Sequence, residues 1–565
     1  MKKPYPLFIT LCAVLGLLFL FPLFLVVKGG FWVDGAFTLR YFLEVFRNPI
    51  YAEGLANSFG IAAGTTTLAT LIALPLAWIS NRCDFRGKGL FSALILVPMV
   101  LPPFVGAIGL TQILGKYGAL NALLGTTTDW LGQARYIGVV LMQALALYPI
   151  MFLNASAALA NVDPAMEEAA ANLGCSAFKR FFKITLPLIM PGIFAGGTIV
   201  FIWSFTELGA PLMLNYTNCA SVQVFDALKE IGSSPFPYAL VFVMLAASIT
   251  LYAIGKLVFG RRAFAMQGKA AVVATPKKLR GASAFLALIP FALVSFLALM
   301  PHFGVVLTSF AQPGAWYKSV IPTAFTLSNY SEALGHDMTV LSIRNSLMFS
   351  SMAVAVNIVL GLSIALIVAR SKIRWAWFLD ALSMIPLAVP GLVMAFGYLA
   401  MSSRLSNMGF VRDSATLTAL FDVRVNPTLF LVIAYAVRRL PYMVRSAVAG
   451  LQQTSVAFEE AAANLGASPM VSLRRVTLPL IAANLAAGIL LSFAFSMLEV
   501  SDSLMLAQQM RFFPITKTIY ELFQLLGTGR YIASALGVWA MAFLTVAIAG
   551  ASIMLGKKMG ALFRV

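Results

Sequence analysis

Long stretches without a charged residue constrain this chain more than any other feature of its sequence. Eleven stretches contain no Asp, Glu, Lys or Arg, and each is at least 23 residues long. A helix needs about 20 apolar residues to cross a hydrocarbon core of about 30 Å, so each stretch is long enough to span a membrane. Barrel strands are only about 10 residues long and alternate in polarity, which favours helices here. The stretches are Pro4–Val27, Gly54–Asn81, Gly89–Gly115, Tyr136–Val162, Ile184–Thr206, Ile231–Gly255, Gly281–Tyr317, Asn345–Ala369, Ala381–Ser403, Val476–Leu498 and Tyr531–Gly556.

The composition leads to the same class of protein. Of the 565 residues, 60% are hydrophobic and 11% are charged, whereas soluble proteins carry about 25% charged residues. So few charges cannot cover the surface of soluble domains, and disorder requires the opposite composition. A twelfth candidate span, Asn426–Leu451, is interrupted by three arginines. We predict an all-α polytopic membrane protein with about twelve transmembrane helices.

The basic residues indicate how the chain is oriented. The net charge of +19 does not predict a nucleic-acid partner, because Lys and Arg lie in short gaps between apolar stretches, as they do in cytoplasmic loops. Three such gaps, Asn81–Gly89, Lys256–Gly281 and Arg370–Arg374, fall on one side if the spans alternate. We therefore predict an inner (plasma) membrane protein with an uncleaved first helix and cytoplasmic N- and C-termini.

The chain repeats itself. Residues Glu167–Gly174 and Glu459–Gly466 are identical, and earlier landmarks also recur, such as Asn57-Ser58 with Asn345-Ser346 and Arg82 with Arg370. Two copies can have the same orientation in the membrane only if each copy contains an even number of spans. We therefore predict two tandem six-helix halves, residues 1–260 and 282–565, joined by a basic cytoplasmic linker at 261–281 that is flexible.

Each repeated segment is predicted to form two short helices in a cytoplasmic loop, at 163–187 and 455–479. Asp163 can cap the first helix, Gly174 can end it in the left-handed conformation, and Ser176 and Ser468 can cap the second helix. Small alanines and paired glutamates suit docking into a cleft of another protein, where the glutamates would meet basic residues. The alternative is an ordinary interfacial helix whose acids face water, although an exact duplication makes this less expected.

These loops resemble the EAA loops of the membrane-spanning subunits of ABC importers, whose pattern is Glu-Ala-Ala, three residues, Gly, nine residues, Ile, any residue, Leu-Pro. The first copy fits in full, with Glu168-Ala169-Ala170, Gly174, Ile184 and Leu186-Pro187, and the second fits with Val for Ile, with Glu460-Ala461-Ala462, Gly466, Val476 and Leu478-Pro479. Two permease domains in one polypeptide resemble the ferric-iron type of importer, and thiamine and aminoethylphosphonate permeases can share this layout.

The resemblance implies partners and docking residues. A cytosolic ATPase, expected in two copies, would dock on the two loops, and a periplasmic or lipid-anchored solute-binding protein would deliver the solute to the outer face. The sequence has no Gly-x-x-x-x-Gly-Lys-[Ser/Thr] motif, so we expect no enzyme activity and no cofactor in this chain, with ATP hydrolysed by a partner. The docking residues implied are Glu167, Glu168, Ala169, Ala170, Gly174, Glu459, Glu460, Ala461, Ala462 and Gly466.

Arg438 and Arg439 lie near the bilayer midplane if their helix begins near Pro427, and a central arginine costs roughly 2.5–3.5 kcal/mol unless it is paired or hydrated. They either line the path of an anionic solute, or of a metal carried with an anion, or form a structural ion pair with Glu499 or Asp502. A third alternative is that the helix boundary lies closer to the cytoplasm than assumed. Pro441 follows the two arginines and is expected to break the helix.

Glu207 and Glu499 share a repeat position and are further candidates for the translocation path. The two histidines, His302 and His336, show no metal-ligand spacing, so no metal site is predicted.

The sequence thus predicts the permease of a binding-protein-dependent ABC importer, with ferric iron as the first choice of solute. Aminoethylphosphonate and thiamine are alternative solutes. The alternative from another class is a secondary transporter driven by an ion gradient, which can also have twelve helices in two halves.

Overall fold

The computed structural model describes residues 4–33, 35–230, 234–266 and 276–555, and nearly all regular structure within them is helical. In the first half the main helices are α1 (Tyr5–Phe31), α2 (Pro49–Arg82), α3 (Lys88–Val100), α4 (Pro103–Leu114), α5 (Tyr136–Ala160), α6 (Pro164–Asn172), α7 (Ala177–Phe205) and α8 (Phe236–Met266). In the second half they are α9 (Ala282–Phe310), α10 (Asp337–Arg370), α11 (Ala376–Met384), α12 (Gly391–Ser406), α13 (Thr428–Gln453), α14 (Ala457–Asn464), α15 (Pro469–Met497) and α16 (Gly529–Leu555). The prediction of an all-α protein is confirmed.

Short elements complete the described part of the chain. The two-residue strands are β1 (Trp32–Val33), β2 (Ala36–Phe37), β3 (Cys83–Asp84) and β4 (Lys277–Lys278). The strands β1 and β2 pair antiparallel, and β3 and β4 pair parallel. Short unlabelled helices are Arg40–Arg47, Ala119–Leu124, Gly209–Met213, Ala220–Asp226, Ser328–Gly335, Gly409–Arg412, Ala415–Phe421, Ser501–Leu506 and Ile515–Phe523.

The described residues contain nine single helices that are long and apolar enough to cross a bilayer. The pairs α3–α4 and α11–α12 are bent by 99° and 101°, and each pair adds one span if it is counted as a broken span. The helix α13 has the length of a span but carries Arg438, Arg439 and Arg445. With α13 included, the helices match the twelve predicted spans.

Prolines produce the two bends. Leu101 and Pro102 have extended backbone angles, and α4 begins at Pro103. In the second half Pro390 is extended and α12 begins at the next residue, Gly391. Proline lacks an N–H and keeps the residue before it out of the helical region, so a helix ends at such positions. Pro441 behaves differently, because α13 continues through it, and the expectation that it breaks the helix is therefore wrong. Its place inside a packed helix bundle is one in which proline is tolerated.

The first helix of each half packs against the other half. The helix α1 contacts α10, α11 and α12, while α9 contacts α3, α4 and α5. The hydroxyl of Tyr398 in α12 donates to the carbonyl of Leu18 in α1 at 2.9 Å. The two six-helix halves are therefore contiguous in sequence but exchange their first helices in space.

Glycine allows the closest of these crossings. Gly109 of α4 lies directly against Pro301 and Gly304 of α9, so a Cβ at Gly109 would overlap backbone atoms of both residues. Backbone atoms cannot move aside as a flexible side-chain end can. We therefore expect Gly109→Ala to lower the free energy of unfolding by about 1–3 kcal/mol through overpacking. Thermal unfolding of the detergent-purified protein measures this effect.

The matched control is Gly89→Ala. Gly89 is also helical, but its added Cβ would have no neighbour within 4 Å, and alanine is the better helix former. Its melting temperature should equal or exceed that of the parent protein. Equal melting temperatures for the Gly109 variant and the parent would contradict the close crossing.

The predicted linker is partly structured. The helix α8 extends to Met266, six residues into the segment predicted as 261–281. The strand β4 pairs with β3, and the N–H of Leu279 donates to the carbonyl of Asp84 at 2.8 Å. Residues 267–275 lie outside the described part of the chain. The prediction of a flexible connector is therefore wrong for both ends of this segment. The first end is part of α8, and the second end is held by backbone hydrogen bonds to β3, including Asp84.

Candidate functional site

The capping residues predicted for the duplicated loops are the ones that the structure uses. The side chain of Asp163 accepts a hydrogen bond from the N–H of Ala165 at 2.9 Å, at the start of α6. Ser176 and Ser468 likewise cap the helical turns that follow α6 and α14. These bonds satisfy N–H groups that have no partner inside the helix.

Each loop helix ends at its predicted glycine. Gly174 and Gly466 have φ angles of +78° and +84°, a region that residues with a Cβ rarely adopt. In the first copy the N–H groups of Gly174 and Cys175 donate to the carbonyls of Ala171 and Ala170, at 2.9 and 3.0 Å. The second copy repeats both bonds. This is a Schellman motif, which satisfies the last carbonyls of the helix.

The two loops expose the same residue positions to solvent. Glu168 and Glu460 are exposed, and Leu173 and Leu465 are 88% and 89% exposed. Other exposed pairs are Ala169 and Ala461, Met166 and Phe458, and Phe178 and Met470, while Ala170 and Ala462 are half-buried. Each loop thus exposes three large apolar side chains at matching positions, and apolar surface grouped in this way is a feature of protein interaction sites. We call these exposed residues of each loop its docking surface, after the role predicted for them from the sequence.

The other glutamate of each pair is held inside the chain. Arg82, the last residue of α2, donates to Glu167 at 2.8 Å, and Arg370, the last residue of α10, donates to Glu459 at 3.0 Å. Thr185 also donates to Glu167, at 2.7 Å. The basic partners that the sequence interpretation placed on another protein are thus supplied to Glu167 and Glu459 by this chain. The arginines lie within reach because they end the helices that pack beside the loops, and their recurrence in the repeat was the signal for this pairing.

The second short helix of each loop is not separate from the membrane helix. In the first copy residues Ala177–Arg180 continue through a π-helical turn, Phe181–Thr185, into the rest of α7. The second copy has the same turn at Leu473–Thr477. Pro187 cannot donate the backbone bond that a regular helix needs here, and a π turn accommodates this. The docking surface is thus attached directly to a membrane-spanning helix.

A cavity of about 160 Å³ lies between the two halves. Both proline bends border it, so residues at equivalent repeat positions face each other across it. Its lining includes Pro98, Pro102, Phe104, Trp203 and Glu207 from the first half, and Pro386, Pro390, Arg438, Arg439, Tyr442, Phe495 and Glu499 from the second. All four residues predicted for the translocation path therefore border one cavity.

The two arginines of the cavity are paired with carboxylates. Nη1 of Arg438 lies 2.5 Å from Glu499 and 3.7 Å from Asp502. Arg439 donates to the second carboxylate oxygen of Glu499 and to the carbonyl of Phe495. The side chains of Glu499 and Asp502 are 4% and 1% exposed, whereas that of Arg438 is 27% exposed. The structural ion pair that the sequence allowed is therefore present, with Glu499 as its main partner, and both arginines also border the cavity.

The first half lacks this ion cluster. Ala146 and Leu147 stand at the repeat positions of the arginines, and Ala210 stands at that of Asp502. Glu207 accepts a hydrogen bond from the N–H of Gly209 at 3.1 Å. With Glu207 counted, three carboxyl groups and two guanidinium groups lie at or beside the cavity.

The histidines do not form a metal centre in the described part of the chain. His302 is buried in α9, and His336 caps α10 by accepting from the N–H of Met338. Among the described residues no group of three or more His, Cys, Asp and Glu side chains is arranged to hold a metal ion.

Comparison with known proteins identifies the family. Residues 69–264 and 357–554 each match the family described as binding-protein-dependent transport system inner membrane component. A Haemophilus influenzae protein, named as a ferric transport system permease, is 28% identical over 82% of this chain and 70% of its own length. The ferric transport system permease protein of Actinobacillus pleuropneumoniae is 27% identical over 82% of this chain and 64% of its own length. The molybdenum transport system permease protein of Escherichia coli is 37% identical over 26% of this chain and 66% of its own length.

The two matched regions cover most of the chain, and each contains one duplicated loop and one side of the cavity. The chain therefore belongs to the family of inner-membrane permease components of binding-protein-dependent ABC importers, with two such domains in tandem.

Proposed function

We propose that this chain supplies both membrane-spanning halves of an ABC importer and binds one ATPase subunit at each docking surface. The observation that carries the proposal is the twofold recurrence of one exposed surface, with Glu168 and Leu173 in the first copy and Glu460 and Leu465 in the second. Buried apolar anchors beside a paired charge are typical of protein interfaces. Two equivalent surfaces suit a dimeric ATPase.

The docking surfaces, the N-terminus and the C-terminus belong on the cytoplasmic side in this proposal. The contacts from Arg82 to Glu167 and from Arg370 to Glu459 hold both loops against the basic ends of α2 and α10. Loops rich in Lys and Arg remain cytoplasmic in membrane proteins. A cytosolic ATPase then has access to both loops, and a solute-binding protein has access to the opposite face.

The two halves would act by rocking against each other. Closure of an ATPase dimer brings the two docked loops together, and each loop is continuous with a membrane helix, α7 or α15. The central cavity then opens to alternate sides. The ATPase supplies the free energy of hydrolysis, while this chain converts it into movement of the cavity walls.

Ferric iron is the solute that we propose. The two relatives matched over 82% of the chain are named for ferric transport. The cavity also offers carboxylate oxygens, because Glu499 borders it beside the arginines and Glu207 borders it from the first half. Carboxylate oxygens are suitable transient contacts for a hard metal ion.

Transport in proteoliposomes tests the proposal. The chain, reconstituted with its cognate ATPase and solute-binding protein, should take up ferric iron when the ATPase can reach ATP. Uptake should stop when ATP is omitted and should continue when a protonophore removes the ion gradient. Molybdate supplied with the same binding protein should not be transported.

Two outcomes would contradict the proposal in different ways. Uptake that a protonophore stops and ATP does not affect would identify a secondary transporter. ATP-dependent uptake of molybdate, but not of iron, would retain the importer and replace the solute.

A further inference from the structure

The helices α2 and α10 are each fastened at both ends to the parts of the protein that an importer has to move together. Their inner ends hold the duplicated loops, and their outer ends hold short helices that are bonded to the backbone of Glu207 and Glu499. We propose that α2 and α10 transmit the movement of each docked loop to an outer segment, residues 218–226 or 511–523, and through it to the backbone of Glu207 or Glu499 at the cavity. This inference rests on the proposed function, because it requires an ATPase to move the loops.

At the inner end, each helix is joined to its loop by a partly buried ion pair. The side chains of Arg82 and Glu167 are 15% and 17% exposed, and those of Arg370 and Glu459 are 7% and 24% exposed. Arg370 also donates to the carbonyl of Thr454, just before α14, at 2.8 Å. Water screens such pairs less than fully exposed ones, so each loop cannot move without its helix unless the pair breaks.

At the outer end, each helix caps a short helix that has no side-chain cap of its own. The hydroxyl of Ser58 accepts from the N–H of Ala220 at 2.9 Å, and that of Ser346 accepts from the N–H of Ile515 at 2.7 Å. These N–H groups begin Ala220–Asp226 and Ile515–Phe523, whose own N-cap residues make no such bond. A cap supplied by another helix ties the two helices together.

The residue before each serine strengthens this attachment. Asn57 donates to the carbonyl of Asn218 at 2.9 Å, and Asn345 donates to the carbonyls of Arg511 and Phe513 at 3.0 and 3.2 Å. The Asn-Ser pair therefore clamps the outer segment on both sides of its turn. This explains why the repeat retains these two polar residues within apolar helices.

The short helices are in turn bonded to the cavity border. Ser221 donates to the backbone carbonyl of Glu207, and Thr516 donates to that of Glu499, both at 2.7 Å. Ser221 and Thr516 follow the capped residues directly in sequence. The same chain of contacts thus connects loop, helix, outer segment and cavity carboxylate in both halves.

Helix geometry fits this role. The outer clamp and the inner arginine are 25 residues apart in both helices, which corresponds to about 37 Å at 1.5 Å per residue. This length crosses the roughly 30 Å hydrocarbon core. Both helices are continuous over this length, with one backbone hydrogen bond of α2 left unmade at Pro75, so displacement of one end displaces the other.

Breaking the inner clamp, by which we mean the ion pairs of Arg82 with Glu167 and of Arg370 with Glu459, tests the inference. The variant Arg82→Gln with Arg370→Gln, in the full importer complex with ferric-loaded binding protein, should still bind the ATPase and hydrolyse ATP. The iron taken up per ATP hydrolysed should fall about fivefold or more, which is the lower range of coupling between sites. The matched control is Arg86→Gln with Lys372→Gln. It removes one exposed charge just after α2 and one just after α10, and it should leave this ratio unchanged.

Two further variants separate transmission from a general structural role. Exchanging the charges, with Arg82→Glu and Glu167→Arg together with Arg370→Glu and Glu459→Arg, should restore the ratio. Cutting the outer clamp, with Asn57→Ala and Ser58→Ala together with Asn345→Ala and Ser346→Ala, should lower the ratio about as much as cutting the inner clamp, although the docking surface is untouched.

The outcomes distinguish this inference from the proposed function. Failure of the parent chain to bind an ATPase would overturn the proposed function. A parent that transports iron, with outer-clamp variants that keep the full ratio, would overturn the transmission role of α2 and α10. This second test holds even if the inner-clamp variants fail to assemble.

Discussion

Replacing Glu499 with glutamine is expected to remove most of the folded protein from the membrane. Arg438 and Arg439 both donate to this carboxylate, which is 4% exposed. Glutamine carries no charge, so among the described residues it would leave Asp502, 3.7 Å from Arg438, as the remaining ion-pair partner of the two arginines. Removing one partner of a buried ion pair costs about 3–5 kcal/mol, a large part of the stability of a typical domain. The yield of monodisperse protein after detergent extraction, with its melting temperature, measures the effect.

The first half of the chain provides the matched control. Glu207 occupies the same repeat position as Glu499 but has Ala146 and Leu147 where the arginines stand. The variant Glu207→Gln should therefore fold normally. A Glu499 variant with the yield and melting temperature of the parent would contradict the stabilising role of the cluster.

Replacing charged residues of the cluster with their counterparts from the first half gives a second test of its stabilising role. Changing Arg438→Ala, Arg439→Leu and Asp502→Ala, with Glu499 retained, gives the second half the residues that the first half already tolerates. Its melting temperature should lie well above that of Glu499→Gln. The variant leaves Glu499 without its arginines, but the first half already accommodates Glu207 at the same repeat position without arginines.

Local signals in the sequence predicted the duplicated loops closely. Asp163, Ser176 and Gly174 act through bonds to residues at most five positions away, so their structural roles can be derived from short segments. Span lengths follow in the same way from the thickness of the bilayer. The fold class and the local backbone geometry of the two loops can therefore be predicted from the sequence.

Contacts between distant segments could not be predicted from short segments of sequence. The exchange of α1 and α9 between the halves depends on close crossings such as Gly109 with Gly304, which leave no local pattern. The pairing of Glu167 with Arg82 joins residues that are 85 positions apart. Here the repeat did contain a signal, because both members of the pair recur in the second half, and a residue pair that recurs twice is a candidate contact.

The double substitution Gly174→Asp and Gly466→Asp is expected to abolish uptake while leaving the protein in the membrane. Both glycines have positive φ angles at the centre of a docking surface, where a Cβ strains the backbone and a new carboxylate lies near Glu168 or Glu460. If each substitution weakens docking by about 1.4 kcal/mol, each contact weakens about tenfold, and an ATPase dimer held at both loops binds about 100-fold less tightly. Co-purification of the ATPase and iron uptake measure the two effects.

Two other glycines separate loss of docking from backbone strain. Gly314 and Gly527 have φ angles of +83° and +79°, and a Cβ at either position would meet no atom within 4 Å. Both lie in loops outside the duplicated segments. The variant Gly314→Asp with Gly527→Asp therefore incurs the same conformational cost without altering a docking surface, and it should retain ATPase binding and uptake. Loss of uptake in both double variants would attribute the effect to strain, whereas normal uptake in the Gly174 and Gly466 variant would exclude the loops as the point of ATPase attachment.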